Sequence, residues 1–271
     1  MQVLIGFVIA LIVGLTGVGG GSFTTPALVL LAGVSGTEAV GTALVFATVI
    51  RLLATPFYIA GKQVHVRYLG IMLLGAVPGL LGGTYLLRTA SVKLSNPFVL
   101  VVIGAMLVVS GTLTTLRTKP RRAPEPGHVS PWLAWLSLPI GIETGFSSAG
   151  AGALGTLMLF NLTGLSAAEV VGTDLVFGTV LAFVGSVFHF SFGTISAGVL
   201  KALLLGGVPG VLIGCALSPR VPSHRLRKVV LALTVLLGLE LFVVGARSLR
   251  GPSTADAGQH STIPPAGAQQ P

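Results

Sequence analysis

Arg51, Asp174 and His189 are ionisable residues set inside long apolar runs, and the search for chemistry starts with them. Asp174, Gly178, Ala182, Gly185 and His189 recur at i, i+4, i+8, i+11 and i+15, which puts them on one face of a helix. The corresponding face in the first half of the chain is Ala43, Ala47, Arg51, Ala54 and Tyr58. Small residues with ionisable groups on one side only are the pattern of a membrane helix turned to the interior of a bundle. A charge there costs about 2.5 to 3.5 kcal/mol on insertion scales, so it is a functional site by default. Two readings of Arg51 and Asp174 stand side by side: a coupling pair that acts in function, or a mutual structural ion pair. His189, near the end of its run, reads either as a proton relay or as an interfacial side chain. Glu143, Lys201 and Glu240 read as closer to membrane boundaries or on peripheral runs.

A second kind of chemistry needs no charged side chain. The stretch from Gly14 to Pro26 puts Gly14, Gly17, Gly19, Gly20 and Gly21 inside an apolar segment, and Gly145 to Thr156 repeats the pattern in the second half. A helix interior loses about 1 kcal/mol per Gly relative to Ala, so each stretch reads as a helix broken inside the membrane. Non-helical backbone at that depth is tolerated only where it is buried in protein or lines a watery cavity. The arm after each break then starts with free amides and the positive end of a helix dipole, which suits a small anion. The expected site lies at the midplane between the two tips, held by the amides of Gly19, Gly20, Gly21 and Ser22 and of Gly150 to Ala153, Gly152 included. Hydroxyls of Thr16, Ser22, Thr25, Ser147, Ser148 and Thr156 would add hydrogen bonds. The competing reading is that the glycines only let the two hairpins pack.

Enzyme-like readings are weaker. Gly17-Val-Gly19 touches on a nucleotide-binding loop, but no strand precedes it and no acidic residue follows at the required distance. Ser147 with His189 resembles the dyad of an intramembrane serine protease. The first half carries Thr16 and Tyr58 at those positions, so the feature belongs to the repeat. Asp174 cannot complete a triad, because 15 residues along one helix span about 22 Å. No catalytic residue, metal site or cofactor is expected.

The elements that must position these residues follow from composition. Apolar residues make up 52% of the chain and charged residues only 8%, with a mean hydropathy of +0.94. That is an integral membrane protein, because soluble domains are about a quarter charged. The 271 residues hold roughly eight spans of about 20 residues, with no room for a sizeable soluble domain. The net charge of +9 sits in loops between apolar runs, where it controls topology, and nucleic-acid binding is excluded on that ground. Cys215 lies in an apolar run and reads as a buried structural thiol, and no cleaved signal peptide is expected.

The apolar runs form two sets of four, and the halves align at an offset of 131 residues, Gly41-Thr-Ala-Leu-Val-Phe46 against Gly172-Thr-Asp-Leu-Val-Phe177. A half-length repeat marks a transporter built from two related halves, with its site at their interface. The arms flanking each glycine break are too short for a core about 30 Å thick, so each pair reads as a re-entrant hairpin. One hairpin and three crossings per half is an odd number of crossings, which inverts the second half relative to the first. The expected fold is thus an all-α membrane protein of two inverted repeats, each a broken re-entrant hairpin plus three transmembrane helices. Its parts are a first repeat at 1–116, a basic Pro-rich cytoplasmic linker at 117–130, a second repeat at 131–247 and a disordered tail at 248–271. This topology places Lys62, Arg67, Arg122, Arg220 and Arg227 in the cytoplasm, in keeping with the positive-inside rule, and leaves Arg247 and Arg250 outside. Ser35-Gly-Thr-Glu38 and Ser166-Ala-Ala-Glu169 read as capping boxes, and Gly79 to Gly83 and Gly210 to Gly214 as close-packing motifs.

These residues also resemble a known family, the sulfite exporter TauE/SafE family of bacterial membrane transporters, from residue 1 to about 246. The resemblance rests on the Gly-rich first segments and on Glu-Ala-Val-Gly-Thr at Glu38 to Thr42. It rests also on Glu-Val-Val-Gly-Thr-Asp at Glu169 to Asp174, on His189 followed by Phe-Gly-Thr194, and on two Val-Pro-Gly turns at Pro78 and Pro209. It implies a multi-pass permease of the bacterial inner membrane that moves sulfite or organosulfonate-type anions, mostly as an exporter. The second hairpin departs from the pattern at Gly150 to Gly152, and Arg51 matches no family motif. An anion channel or facilitator is the alternative. The partners implied are a small inorganic or organic anion and the lipid bilayer, and a homo-oligomer stays open.

Overall fold

The structure, a computed structural model, describes residues 1–17, 20–93, 96–116, 132–218 and 223–250. Gly19, the linker expected at 117–130 and residues 251–271 of the expected tail lie outside them. Ten α-helices follow in order: α1 (Gln2–Thr16), α2 (Gly21–Ala32), α3 (Gly36–Ala60), α4 (Val66–Lys93), α5 (Asn96–Leu116), α6 (Trp132–Ser147), α7 (Gly150–Leu162), α8 (Ala167–Ser191), α9 (Ala197–Leu217) and α10 (Ser223–Leu249). No strand occurs among the described residues. Among the described residues six helices, α3, α4, α5, α8, α9 and α10, are long and apolar enough to cross a membrane. The helices flanking the glycine breaks are shorter, 15 and 12 residues in the first half and 16 and 13 in the second.

Local sequence sets the boundaries. α1 and α2 stop at Gly17 and Gly33, both in the left-handed region at φ 66° and 65°, where a residue without Cβ is favoured. α3 and α8 start at Ser35 and Ser166, whose hydroxyls accept the amides of Glu38 and Glu169. The Ser166–Glu169 capping box is complete, with the Ser166 amide donating to Glu169 Oε2 at 2.8 Å. The Val-Pro-Gly segments are not turns: Pro78 and Pro209 lie inside α4 and α9. Membrane helices tolerate an interior proline because neighbouring groups satisfy the backbone it frees.

Glycines decide how the helices pair. A side chain at Gly75, Gly79 or Gly83 of α4 would strike the backbone of α6 at Ala134, Leu138 or Ile142. At Gly206, Gly210 or Gly214 of α9 it would strike α1 at Val3, Phe7 or Leu11. These contacts are the same set shifted by the repeat offset, and residue numbers rise together along each pair, so α1 runs parallel to α9 and α6 to α4. Such backbone-to-backbone approach is what small residues allow in lipid. We expect Gly79→Val and Gly210→Val each to cost at least the about 1–3 kcal/mol of an overpacked core. Thermal midpoints in detergent check this against Gly82→Val, where nothing lies within reach.

Equivalent helices meet in the opposite sense. Along α3 and α8, Thr48 Oγ1 lies 3.0 Å from Ser186 Oγ, and Thr55 Oγ1 lies 3.4 Å from Thr179 Oγ1. The loops repeat the exchange, the His65 amide donating to Thr173 Oγ1 at 2.9 Å and the Ser196 amide to Thr42 Oγ1 at 3.0 Å. Each contact is the other with its partners swapped by the offset, so the α3/α8 crossing has two-fold character and the two helices run antiparallel. α5 and α10 are antiparallel too, Gly245 facing Pro97 and Gly104 facing Phe242. Gly41, near the start of α3, faces Thr194 just before α9, and the start of α1 lies along Leu203 to Gly206, toward the middle of α9. The end of α2, which three residues separate from α3, therefore lies toward the same end of the bundle as the starts of α3 and α9. By the matching contact of Gly172 with Gln63, the end of α7 and the start of α8 lie toward the other end, beside the start of α4.

Candidate functional site

The two glycine breaks meet. Thr25 on α2 and Ser148, between α6 and α7, have their hydroxyl oxygens 2.7 Å apart. The Ser148 hydroxyl donates to the Gly21 carbonyl at 3.2 Å, which makes Thr25 the donor to Ser148. Ser22 Oγ donates across the same junction to the Ala149 carbonyl at 3.4 Å. Ser148 is held at φ 65°, a left-handed conformation unusual for a residue with a Cβ. The bare Cα of Gly21 faces the Ser148 carbonyl, so any side chain there would part the two tips.

Beyond the junction, the second helix of each half starts without a side-chain cap, at Gly20 for α2 and at Ala149 for α7. That contrasts with α3 and α8, whose first-turn amides are met by serine. An uncapped first turn leaves backbone donors and the positive dipole end facing the junction. α7 is also broken after its first residue, with Ala151 at ψ 62° and Gly152 at φ 178°, so its regular turns begin beyond Gly152.

Not every residue expected at the site joins it. The bare Cα of Gly20 faces Val13 and Ile9, and that of Gly150 faces Ile140 and Thr144, so these two glycines let each hairpin close on its own first arm. Thr16 Oγ1 donates to the Ile12 carbonyl at 2.7 Å and Ser147 Oγ to the Glu143 carbonyl at 2.9 Å, within their own helices. The Thr156 hydroxyl lies 2.8 Å from the Gly152 carbonyl and 2.6 Å from Asp174 Oδ2, tying α7 to α8.

The interior charges sit one layer away. Arg51 is 4% exposed and Asp174 2%. The guanidinium of Arg51 lies against the bare Cα of Gly178, one turn along α8 from Asp174, and the Asp174 carboxylate acts on it electrostatically. Arg51 Nε has no hydrogen-bond partner among the described residues. His189 is buried at the far end of α8, its Nδ1 2.8 Å from Thr194 Oγ1. The dyad reading finds no support here, since Ser147 and His189 each bond elsewhere and not to one another among the described residues.

Glu143 is the residue that sequence reasoning misplaced. It is 5% exposed and lies beneath the second tip, not on a peripheral face. The missed signal was its place inside the run from Trp132 to Leu162, two residues before Gly145 where the repeat begins.

The family described as Sulfite exporter TauE/SafE matches residues 2–241. The chain belongs to this family. TauE/SafE membership makes it a membrane transporter and not an enzyme, and the six candidate spans make it multi-pass. A probable membrane transporter protein, YjnA of Bacillus subtilis (strain 168), is 29% identical over 252 residues, covering 88% of this chain and 98% of the relative. No solved structure matches.

Proposed function

We propose that this TauE/SafE transporter carries small sulfur-containing anions, of the sulfite or organosulfonate type, by holding them at the junction of its two hairpin tips. The observation that carries the reading is the meeting of two uncapped helix N-termini with the hydroxyls of Ser22, Thr25 and Ser148 between them. Backbone amides aimed from two directions at one buried point suit a tetrahedral or trigonal oxyanion, as in transporters whose half-helices meet at mid-membrane. The family's own description, sulfite exporter, points to the same solutes.

In this reading residues 1–116 and 131–247 are two inverted repeats, each a re-entrant hairpin followed by three crossings. It is supported by the antiparallel sense of α3 against α8 and of α5 against α10, since helices related by a two-fold axis in the membrane plane must oppose one another. The setting is the inner membrane of a bacterium. There an inside-negative potential drives an anion that moves alone outward by about 2.3 kcal/mol per elementary charge per 100 mV.

Two measurements test this. Purified protein in liposomes should pass sulfite or a sulfonate while excluding cations, and failure across a panel of small anions overturns the reading. Single cysteines in a Cys215→Ala background should label Lys62 and Gly164 from one side and Ser35 and Gly193 from the other. Labelling of Ser35 and Gly164 from the same side would sink the inverted arrangement.

A further inference from the structure

Glu143 is a buried carboxyl with no part in the anion site so far described. It stands one turn before Ser147, whose hydroxyl donates to its carbonyl at 2.9 Å, and its Cβ lies under the bare Cα of Gly150. The Ser110 hydroxyl of α5, which donates to the Leu107 carbonyl at 3.4 Å, lies beside the carboxyl, whereas Oε1 has no hydrogen-bond partner among the described residues. The helices packed on α6 are α2, α4, α5, α7 and α8. Of these, α2, α5 and α7 contain no titratable residue. On α4, Arg67, Tyr85, Arg88 and Lys93 are exposed, and Tyr68 stacks on His65 at the opposite end from Glu143. On α8, Glu169 is occupied by Ser166 at the helix start, Asp174 is bonded by Thr156, and the His189 ring meets Thr194 on one side and faces the Gly145 backbone of α6 on the other. Glu143 therefore lies against the second hairpin tip, His189 is the titratable side chain nearest to it along α6, and among the described residues no charged group bonds its carboxylate.

We propose that Glu143 is a proton site that couples proton movement to anion movement in the same direction, an inference that rests on the anion reading above. An ionised carboxylate left unpaired in a membrane interior is expensive. A substrate anion at the neighbouring tip raises that cost, because two like charges in one buried region disfavour each other's ionised form. Anion occupancy and protonation of Glu143 are thereby linked, and linkage is reciprocal: each favours the other. One proton from the loading side converts the carboxylate to the neutral acid as the anion enters, and it leaves to water on the far side when the anion departs. No bond of the anion is made or broken, and a monovalent sulfonate with its proton moves without net charge, so its direction follows the pH and solute gradients and not the membrane potential. The equivalent position in the first half is Ile12, so each chain has one such site.

The test uses methanesulfonate, a sulfonate that does not itself titrate, and full-length protein in liposomes. The wild type should accumulate it against its gradient when a pH gradient is imposed, and its affinity should rise by up to about tenfold for each unit of pH lost, the limit for one linked proton. Glu143→Gln should keep methanesulfonate exchange at equal pH but lose both responses, and Glu143→Asp should restore them in part. Infrared pH-difference spectra supply a reading that needs no substrate: a protonated carboxyl band that titrates in the wild type, shifts in Glu143→Asp and vanishes in Glu143→Gln. Accumulation by Glu143→Gln equal to the wild type overturns the proposal, and so does a carboxyl spectrum that neither variant alters. A titrating Glu143 band in a protein that moves no anion would uphold the proton site while sinking the anion reading. Anion flux with no such band would do the reverse.

Discussion

Gly21→Val is expected to lower anion flux by roughly a hundredfold while the protein still inserts and folds. The bare Cα of Gly21 faces the Ser148 carbonyl, and Ser148 in turn bonds Thr25 and the Gly21 carbonyl. Two methyl groups at that point have no space except by parting the tips, and a shift of about 1 Å in a preorganised polar site costs on the order of 10²-fold. The helix pairs that hold the bundle, α1 with α9, α4 with α6 and α5 with α10, do not pass through this junction. Gly20→Val is a less clean probe, because its side chain would strike Val13 and Ile9 and unsettle the first hairpin itself. Flux of a small sulfonate into liposomes, compared with Gly70→Val where nothing lies within reach, checks the outcome. Normal flux in Gly21→Val, or a bound anion located far from both tips, sinks the site.

The glycines were legible as breaks and packing sites because glycine is costly in a helix, so a cluster of them inside an apolar run needs a reason. Sequence could not say which reason applied to which residue. Gly20 closes its own hairpin while Gly21, its neighbour, faces the other half of the chain. That difference is one of Cα direction at a helix start, which a residue type does not encode. The repeat was legible because an offset of 131 aligns residues without a gap, and the same offset relates Gly79 facing Leu138 to Gly210 facing Phe7. The Val-Pro-Gly segments misled because proline reads as a turn in water, whereas a membrane helix keeps it and packs the following glycine against a neighbour. Glu143 was passed over because burial depends on which helices surround α6, and no local pattern in α6 reports that.

Removing one of Arg51 and Asp174 is expected to cost about 3–5 kcal/mol, and removing both to cost less than the sum, because a single deletion leaves a buried charge without its balance. The two belong to opposite halves, Arg51 on α3 and Asp174 on α8, and each stands where the other half has alanine, Ala182 and Ala43. They are therefore a buried place where the two similar halves differ in charge of both signs. Gly178 admits the guanidinium against α8, and Thr156 holds the carboxylate on its other side. Asp174→Asn keeps an oxygen acceptor for Thr156, so its effect isolates charge from hydrogen bonding. Arg51→Gln removes the opposite charge, and Gly178→Ala displaces the guanidinium without altering either residue. Thermal midpoints and anion flux of the two single variants and the double variant form a closed cycle. Stability restored in the double variant with flux still absent would assign the pair to function as well as to folding. Restoration of both would make it a structural pair alone. Strictly additive losses in the cycle, with Gly178→Ala unaffected, would show that Arg51 and Asp174 do not act on one another.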